Sequence, residues 1–281
     1  MKKFLLFFAG LLCTYLSSLA QIKISEIYVR PGNSQQEYFE LVNAGPITES
    51  TGCYTLVTYF KNGSQRGMYV VSIPDIALAP YGLVTASSQA PAFSYQGGSG
   101  HADFSWNNGR VKRYLLQGGV LVADNTGAPY HDIFIQSGPS GGYYAVLLFK
   151  GNAVVDVLLG SYDSNTVPTD ITSMGQLAAA GSNSCGGLTY NFANINAENQ
   201  ANFAHVNPSA GTNNGYYRNA FFSWEKGAAL SETTPGAPNS STGCPLSVQP
   251  LQVQVQCAND STLGFTVPSG SSGAFPVTAH T

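Results

Sequence analysis

Apolar side chains recur at nearly alternate positions along Ile22-Lys-Ile-Ser-Glu-Ile-Tyr-Val29. That period of two predicts a strand with one buried face. Pro31-Gly32-Asn33-Ser34 reads as a turn. Further strands are predicted over residues 38–42, 53–60, 67–73, 110–116, 119–123, 143–150 and 153–160, rich in β-branched and aromatic side chains. Residues 76–84 read as a turn leading into another strand. Asn62-Gly63 and Lys150-Gly151-Asn152 are hairpin connections. A helix-compatible pattern is confined to residues 173–180 and 197–203. Short strands with turn signals between them predict an all-β sandwich or barrel.

The pattern changes after Asn239. Residues 240–244 form a small polar linker, and Leu246 to Cys257 alternates again as Leu-Gln-Val-Gln-Val-Gln, with another strand expected over 262–267. Residues 245–281 are too few to bury a core alone, so they are expected to be a partial second β unit or a piece that pairs with the first sandwich.

Composition narrows the class. Of 281 residues, 10% are charged and 43% hydrophobic, with 31 Gly, 15 Pro, 16 Tyr and 15 Phe. A wholly disordered chain is excluded by the hydrophobic content, and a coiled coil by the shortage of charged positions. With 12 basic against 15 acidic residues the net charge is −3, a poor match to a phosphate backbone. No nucleic-acid partner is expected.

The first twenty residues read as an export signal: Lys2 and Lys3, an apolar run from Phe4 to Leu12, and Ser18-Leu19-Ala20 before a cut. The run is shorter than the ~20 residues a bilayer span needs, and no later stretch reaches that length. A lipidated Cys13 is the rival reading, with Leu12 standing where a small residue is usual. Cleavage after Ala20 removes two lysines and no acid, leaving 10 basic and 15 acidic residues, a net of −5. Four cysteines then remain, Cys53, Cys185, Cys244 and Cys257, an even number in an exported chain. Of the three pairings, Cys53–Cys185 and Cys244–Cys257 are favoured. Zinc is disfavoured, because there is no Cys-x-x-Cys and the four histidines are scattered.

Four segments of residues 22–239 resemble, in order, the lamin-tail domain, an immunoglobulin-like β-sandwich of nuclear lamins and many secreted bacterial proteins. Ile24-Ser-Glu-Ile-Tyr28 is similar to its opening strand, and Glu37-Tyr-Phe-Glu-Leu-Val-Asn43 to its second. Phe149-Lys-Gly-Asn-Ala-Val-Val-Asp-Val157 is similar to its late hairpin, and Thr234-Pro-Gly-Ala-Pro-Asn239 to its closing segment. Ser25 stands where the family often has Asn, and Cys53-Tyr54 where it usually has Gly-Trp. The domain is also longer than usual, through insertions at residues 90–132 and 163–221 expected to be long loops. Residues after Cys244 are similar to adhesin-type repeats of Bacteroidetes surface proteins. The resemblance implies a structural or interaction module with no shared catalytic apparatus.

Chemistry was sought beyond it. There is no Gly-x-Ser-x-Gly; Ser99 and Ser140 lie in Gly-rich turns, and the adjacent His131 and Asp132 would point to opposite faces of a strand. Asp163, Asn165 and Asp170 offer closely spaced oxygens of the kind calcium takes, although Asx-rich loops also bond their own backbone. Tyr190, Tyr216, Tyr217 and Trp224, among many Asn and Gln, could stack on sugar rings or pack the insertion onto the sandwich. The basic cluster Arg110, Lys112 and Arg113 is expected to guard a strand edge.

The sequence thus describes a secreted or cell-surface, non-enzymatic adhesion or interaction module. Its partner would be an extracellular protein or polysaccharide, and it needs no cofactor unless calcium. A carbohydrate-binding module and the non-catalytic part of a secreted hydrolase are the alternatives. Intact-mass measurement of the exported protein is expected to show a chain starting at Gln21, gaining 4 Da on reduction from two disulfides; a chain retaining Met1 would refute the signal.

Overall fold

The computed structural model describes residues 22–29, 37–62, 64–95, 98–134, 143–161, 176–183, 185–191, 203–205, 214–218, 224–227, 234–237 and 239. The chain divides into two units, Met1–Pro245 and Leu246–Thr281. The second unit, with Cys244, Cys257 and the strands expected there, lies outside the described residues.

Every regular element among the described residues is a strand. In chain order they are β1 (Ile22–Val29), β2 (Tyr38–Asn43), β3 (Glu49–Ser50), β4 (Tyr54–Asn62), β5 (Gln65–Ser72), β6 (Ala77–Leu78), β7 (Leu83–Ser87), β8 (Ala92–Tyr95), β9 (Gly98–His101) and β10 (Phe104–Ser105). There follow β11 (Val111–Gln117), β12 (Val120–Asp124), β13 (Tyr143–Lys150), β14 (Ala153–Ser161), β15 (Gln176–Asn183), β16 (Gly186–Asn191), β17 (Phe203–His205), β18 (Asn214–Arg218) and β19 (Trp224–Gly227). The first sheet runs β10-β7-β2-β1-β18-β19 and the second β12-β11-β5-β4-β13-β14-β17. Pairing is antiparallel except for the short β7–β10 and β14–β17 contacts.

Both sheets feed one core. Ile22, Ile24, Ile27 and Val29 of β1 and Phe39 and Leu41 of β2 pack with Tyr54, Leu56 and Phe60 of β4 and Val146 and Leu148 of β13. Trp106 lies fully buried among them, stacked on Phe39 with its indole N–H donated to Tyr130 O at 2.8 Å. Stacking two inner faces in this way makes the fold an all-β sandwich. In the second sheet the outward-facing Val57, Tyr59, Met68 and Leu147 are buried as well. That accounts for the nearly continuous apolar runs of β4, β5 and β13, which show little alternation.

The β11–β12 hairpin turns on Gly118 and Gly119, at φ 59° and 82°. Two successive positive φ values are what a type I′ turn requires, and glycine supplies them without steric penalty.

Three expectations change. Residues 176–180 belong to β15 of a two-stranded hairpin with β16; the alanine run there is overridden by strand pairing, since propensity is a weak prior. Residues 197–202 lie outside the described residues. In the first insertion β11 and β12 fall on the strands expected over 110–116 and 119–123 and widen the second sheet, while β8–β9 adds a hairpin where a loop was expected. Arg113 guards no edge, because β11 is paired with both β5 and β12. Its guanidinium instead meets Asp124 at 2.9 Å and stands over Phe60 and Tyr69.

The two sheets are also joined by charge. A bulge at Ile24/Glu26 ends the β1–β18 ladder at Glu26. Beyond it, the Ile24 N–H donates to Asp156 Oδ2 at 2.8 Å, and Arg218 Nε donates to the Ile24 carbonyl at 2.9 Å. Arg218 and Asp156 pair directly, both buried. Burial holds Asp156 above the usual carboxylate range, with Arg218 opposing it. Removing one member strands the other, a loss of about 3–5 kcal/mol for Asp156→Ala in urea unfolding. Asp156→Asn, which keeps an acceptor for Ile24, is expected to lose less.

Candidate functional site

Two features on the described part of the sandwich are candidates for chemistry or recognition. One is a pair of loops at the end of β2. The other is a polar layer on the outer face of the first sheet.

The loops are organised by Asn43. Its Nδ2 donates to the carbonyls of Ile47, Leu78 and Ala79 at 2.7, 2.9 and 3.2 Å, and its Oδ1 accepts the Gly45 N–H at 3.0 Å. Its backbone carbonyl accepts the Tyr81 N–H at 2.8 Å. One buried amide thus draws the 44–48 and 78–82 loops to the same end of the sandwich. Ile47 and Tyr81 stand exposed there, at 61% and 43%. Tyr81 adopts φ 60°, the lone non-glycine among the described residues with a positive φ. For a side chain with a Cβ this region costs roughly 1–2 kcal/mol, and such outliers gather where function demands them.

The outer layer follows from strand parity. The bulge moves Glu26 and Tyr28 of β1 onto the face opposite the core, where Tyr38 and Glu40 of β2 also lie. Tyr28 and Tyr38 stack at 5.6 Å, and Phe93, Tyr95 and Ala102 from the β8–β9 region complete a second small apolar cluster. Beside it, Glu26 and Glu40 oppose each other in the β1–β2 register and are fully buried. Tyr38 OH donates to Glu26 Oε1 at 2.6 Å, and the Thr234 N–H to Glu26 Oε2 at 3.3 Å. Glu40 Oε2 accepts from the Gly236 N–H at 2.7 Å and the Thr85 hydroxyl at 3.2 Å. Asn239 closes the layer by donating to the Ser25 carbonyl and hydroxyl. Burial, then the neighbouring Glu40, pushes Glu26 up to about 8; burial pushes Glu40 up to about 7. A third buried carboxylate, Glu37, accepts the N–H groups of Ile133 and Phe134 at 2.7 and 3.1 Å, which is a structural tie.

The residues expected as sites fare differently. Tyr216 and Tyr217 are 1% and 7% exposed, so neither ring offers a face to a sugar. Tyr216 joins the main core, on the inner side of β18. Tyr190 lies in β16 and Trp224 in β19, each opposite Leu177 and Arg218 respectively. Asp163, Asn165 and Asp170 lie outside the described residues. Among the described residues no group of three His, Cys, Asp or Glu could hold a metal ion. Cys53 and Cys185 form a disulfide with a Cα–Cα distance of 5.3 Å, tying the residue before β4 to the turn between β15 and β16. His131 and Asp132 fall outside any strand, and Ser99 sits in exposed β9.

Sequence reasoning passed over Glu26, Glu40, Ile47 and Tyr81 as sites. Tyr38 was the available signal for the first two, being a large aromatic on what strict alternation makes the solvent face of β2. For Tyr81, the Pro80-Tyr81-Gly82 turn hid a left-handed residue that glycine would ordinarily fill.

No family model, curated protein or solved structure matches the chain.

A core role for Tyr216 has a direct consequence: Tyr216→Ala is expected to cost about 3–5 kcal/mol in denaturant unfolding. A variant of unchanged stability would return the ring to the surface.

Proposed function

We propose that the protein is a secreted or cell-surface, non-enzymatic adhesion or interaction module. It is carried on a lamin-tail-like sandwich with immunoglobulin-like connectivity and exported by its cleaved signal peptide. The observation that carries this reading is Tyr81: an exposed aromatic ring held at a strained φ, beside exposed Ile47, on loops pinned by one buried asparagine. Exposed aromatics on rigid loops make contact area at low entropic cost, and such residues dominate the binding energy of interfaces. The buried charged residues support the same reading. Glu37, Asp156 and Arg218 each hold backbone groups of other segments in place. No described helix is long and apolar enough to cross a membrane.

An extracellular protein is the partner class favoured by two exposed apolar side chains, Ile47 and Tyr81, on loops held by the same asparagine. A polysaccharide is the second reading, favoured by the open Tyr81 ring alone, since a flat aromatic face stacks on a sugar ring.

The test uses the mature protein against panels of immobilised extracellular-matrix proteins and polysaccharides. Tyr81→Gly is expected to leave unfolding stability within about 1 kcal/mol, because glycine accepts this φ freely, while capture falls roughly tenfold or more. Ile47→Asp is expected to weaken protein capture and to spare polysaccharide capture. Equal capture by wild type and Tyr81→Gly would refute the role given to these loops.

A further inference from the structure

We propose that Glu26 and Glu40 form a proton-operated clasp that holds the strap around Thr234 and Gly236 on the outer face of the first sheet and releases it when both carboxyls ionise. The geometry points to this in three ways. The two side chains stand directly opposite each other across antiparallel strands, with no exposed surface on either. Each takes one backbone N–H of the strap, Thr234 for Glu26 and Gly236 for Glu40; these two bonds by themselves favour the anions, and burial under the strap outweighs them. Glu40 Oε1 is buried with no hydrogen-bond partner among the described residues, so a charge on that oxygen would be neither solvated nor bonded.

The groups facing the pair do not neutralise it. Glu26 meets Tyr38 and Glu40 from β2 and lies close enough to Tyr95 of β8 for its charge to act there; Tyr217 is its register neighbour on β18, with Glu225 opposite Tyr217 on β19. Glu40 meets hydroxyls of Ser25 and Thr85 and the charge of Asp103. Among the described residues no cation acts on either carboxyl. Two ionised carboxylates in this dry, acidic setting repel each other and require water. The β1, β2 and β7 backbones are locked in ladders. Among the described residues Thr234 to Ala237 carry no ladder bond and Gly236 and Ala237 are exposed, so the strap is the layer assigned to lift and admit water.

The direction follows from linkage. Both carboxyls sit above the usual 4.5 in the folded protein, near 8 and 7. The folded, strapped state therefore holds protons that an open state gives up. Strap stability is fully present below about pH 4.5 and declines as pH rises through 7 and 8. Each proton released makes opening roughly tenfold more favourable per pH unit within that window.

Hydrogen exchange of the mature protein tests this, with rates expressed as protection factors so that the intrinsic pH dependence of exchange is removed. Protection at Thr234 and Gly236 is expected to fall at least tenfold between pH 6 and pH 9, while β13 amides keep theirs. Glu26→Gln and Glu40→Gln are each expected to flatten the response. Tyr38→Phe, which removes a hydrogen bond that favours the Glu26 anion, is expected to move its midpoint to higher pH; it keeps the test alive if either glutamine variant fails to fold. Protection independent of pH in the wild type, or the same fall in folded Glu26→Gln, would overturn the proposal. So would recovery of protection at pH 9 on adding calcium, which would make the pair a cation site.

Discussion

The sandwich hangs on one arrangement: the backbone of Ile24 is completed by side chains from elsewhere. The bulge after Ile24 carries β1 away from β18, and an N–H and a carbonyl would be left buried without partners, at about 1–3 kcal/mol each. Asp156 of the second sheet and Arg218 at the end of β18 fill those two positions and pair with each other. Hydrophobic stacking alone leaves two sheets free to slide, because apolar contact is not directional. A tie to both backbone groups of one residue is directional. It fixes where β14 crosses β1, and so fixes the relation of the sheets.

The same bulge makes the outer layer. Without its change of parity Glu26 would point into the core. With it, Glu26 and Tyr28 join Tyr38, Glu40 and Thr85 on one face, which β8–β9 and the strap then cover. Segments far apart in the sequence therefore meet in space. Asp156 holds Ile24, Glu26 and Glu40 hold Thr234 and Gly236, Asn239 holds Ser25, and Asn43 holds the loops beyond β2. Their polar residues are spent on holding the frame, which leaves recognition to other positions.

Much of the frame is legible in the chain. β1 and β13 occupy the residues that alternation and β-branched content mark out, and β2, β4, β5, β11, β12 and β14 lie within a few residues of expectation. The Cys53–Cys185 bond is one of the pairings favoured among the three that four cysteines allow. The rest is hidden for physical reasons. A bulge is a two-residue irregularity that strict alternation does not carry, so the shift of Glu26 and Tyr28 to the outer face is hidden. Strands such as β10 and β17 are two and three residues long and take their pairing from tertiary neighbours. Arg113 looks like an edge charge until β12 covers its strand. Tyr216 and Tyr217 look like a stacking platform because an aromatic in a strand has the same sequence signature facing in or out; only the pairing of β18 with β1 decides that Tyr216 faces in.

The scarcity of charge gives these placements a common meaning. With 27 charged side chains in 281 residues, each buried carboxylate is a large fraction of the supply, and Glu26, Glu37, Glu40 and Asp156 all lie inside. Burying an acid is costly unless it satisfies other polar groups; Glu37 and Asp156 do so by holding peptide N–H groups. The paired Glu26 and Glu40 do so under mutual repulsion, which is why a proton belongs to their balance. Four of the 15 acids are thereby taken from a surface already sparse in charge. Recognition by such a surface rests on shape, ring contact and backbone hydrogen bonds, interactions that salt screens little. The rigid, strained presentation of Tyr81 is consistent with that mode, because contacts without long-range attraction gain most from being pre-organised.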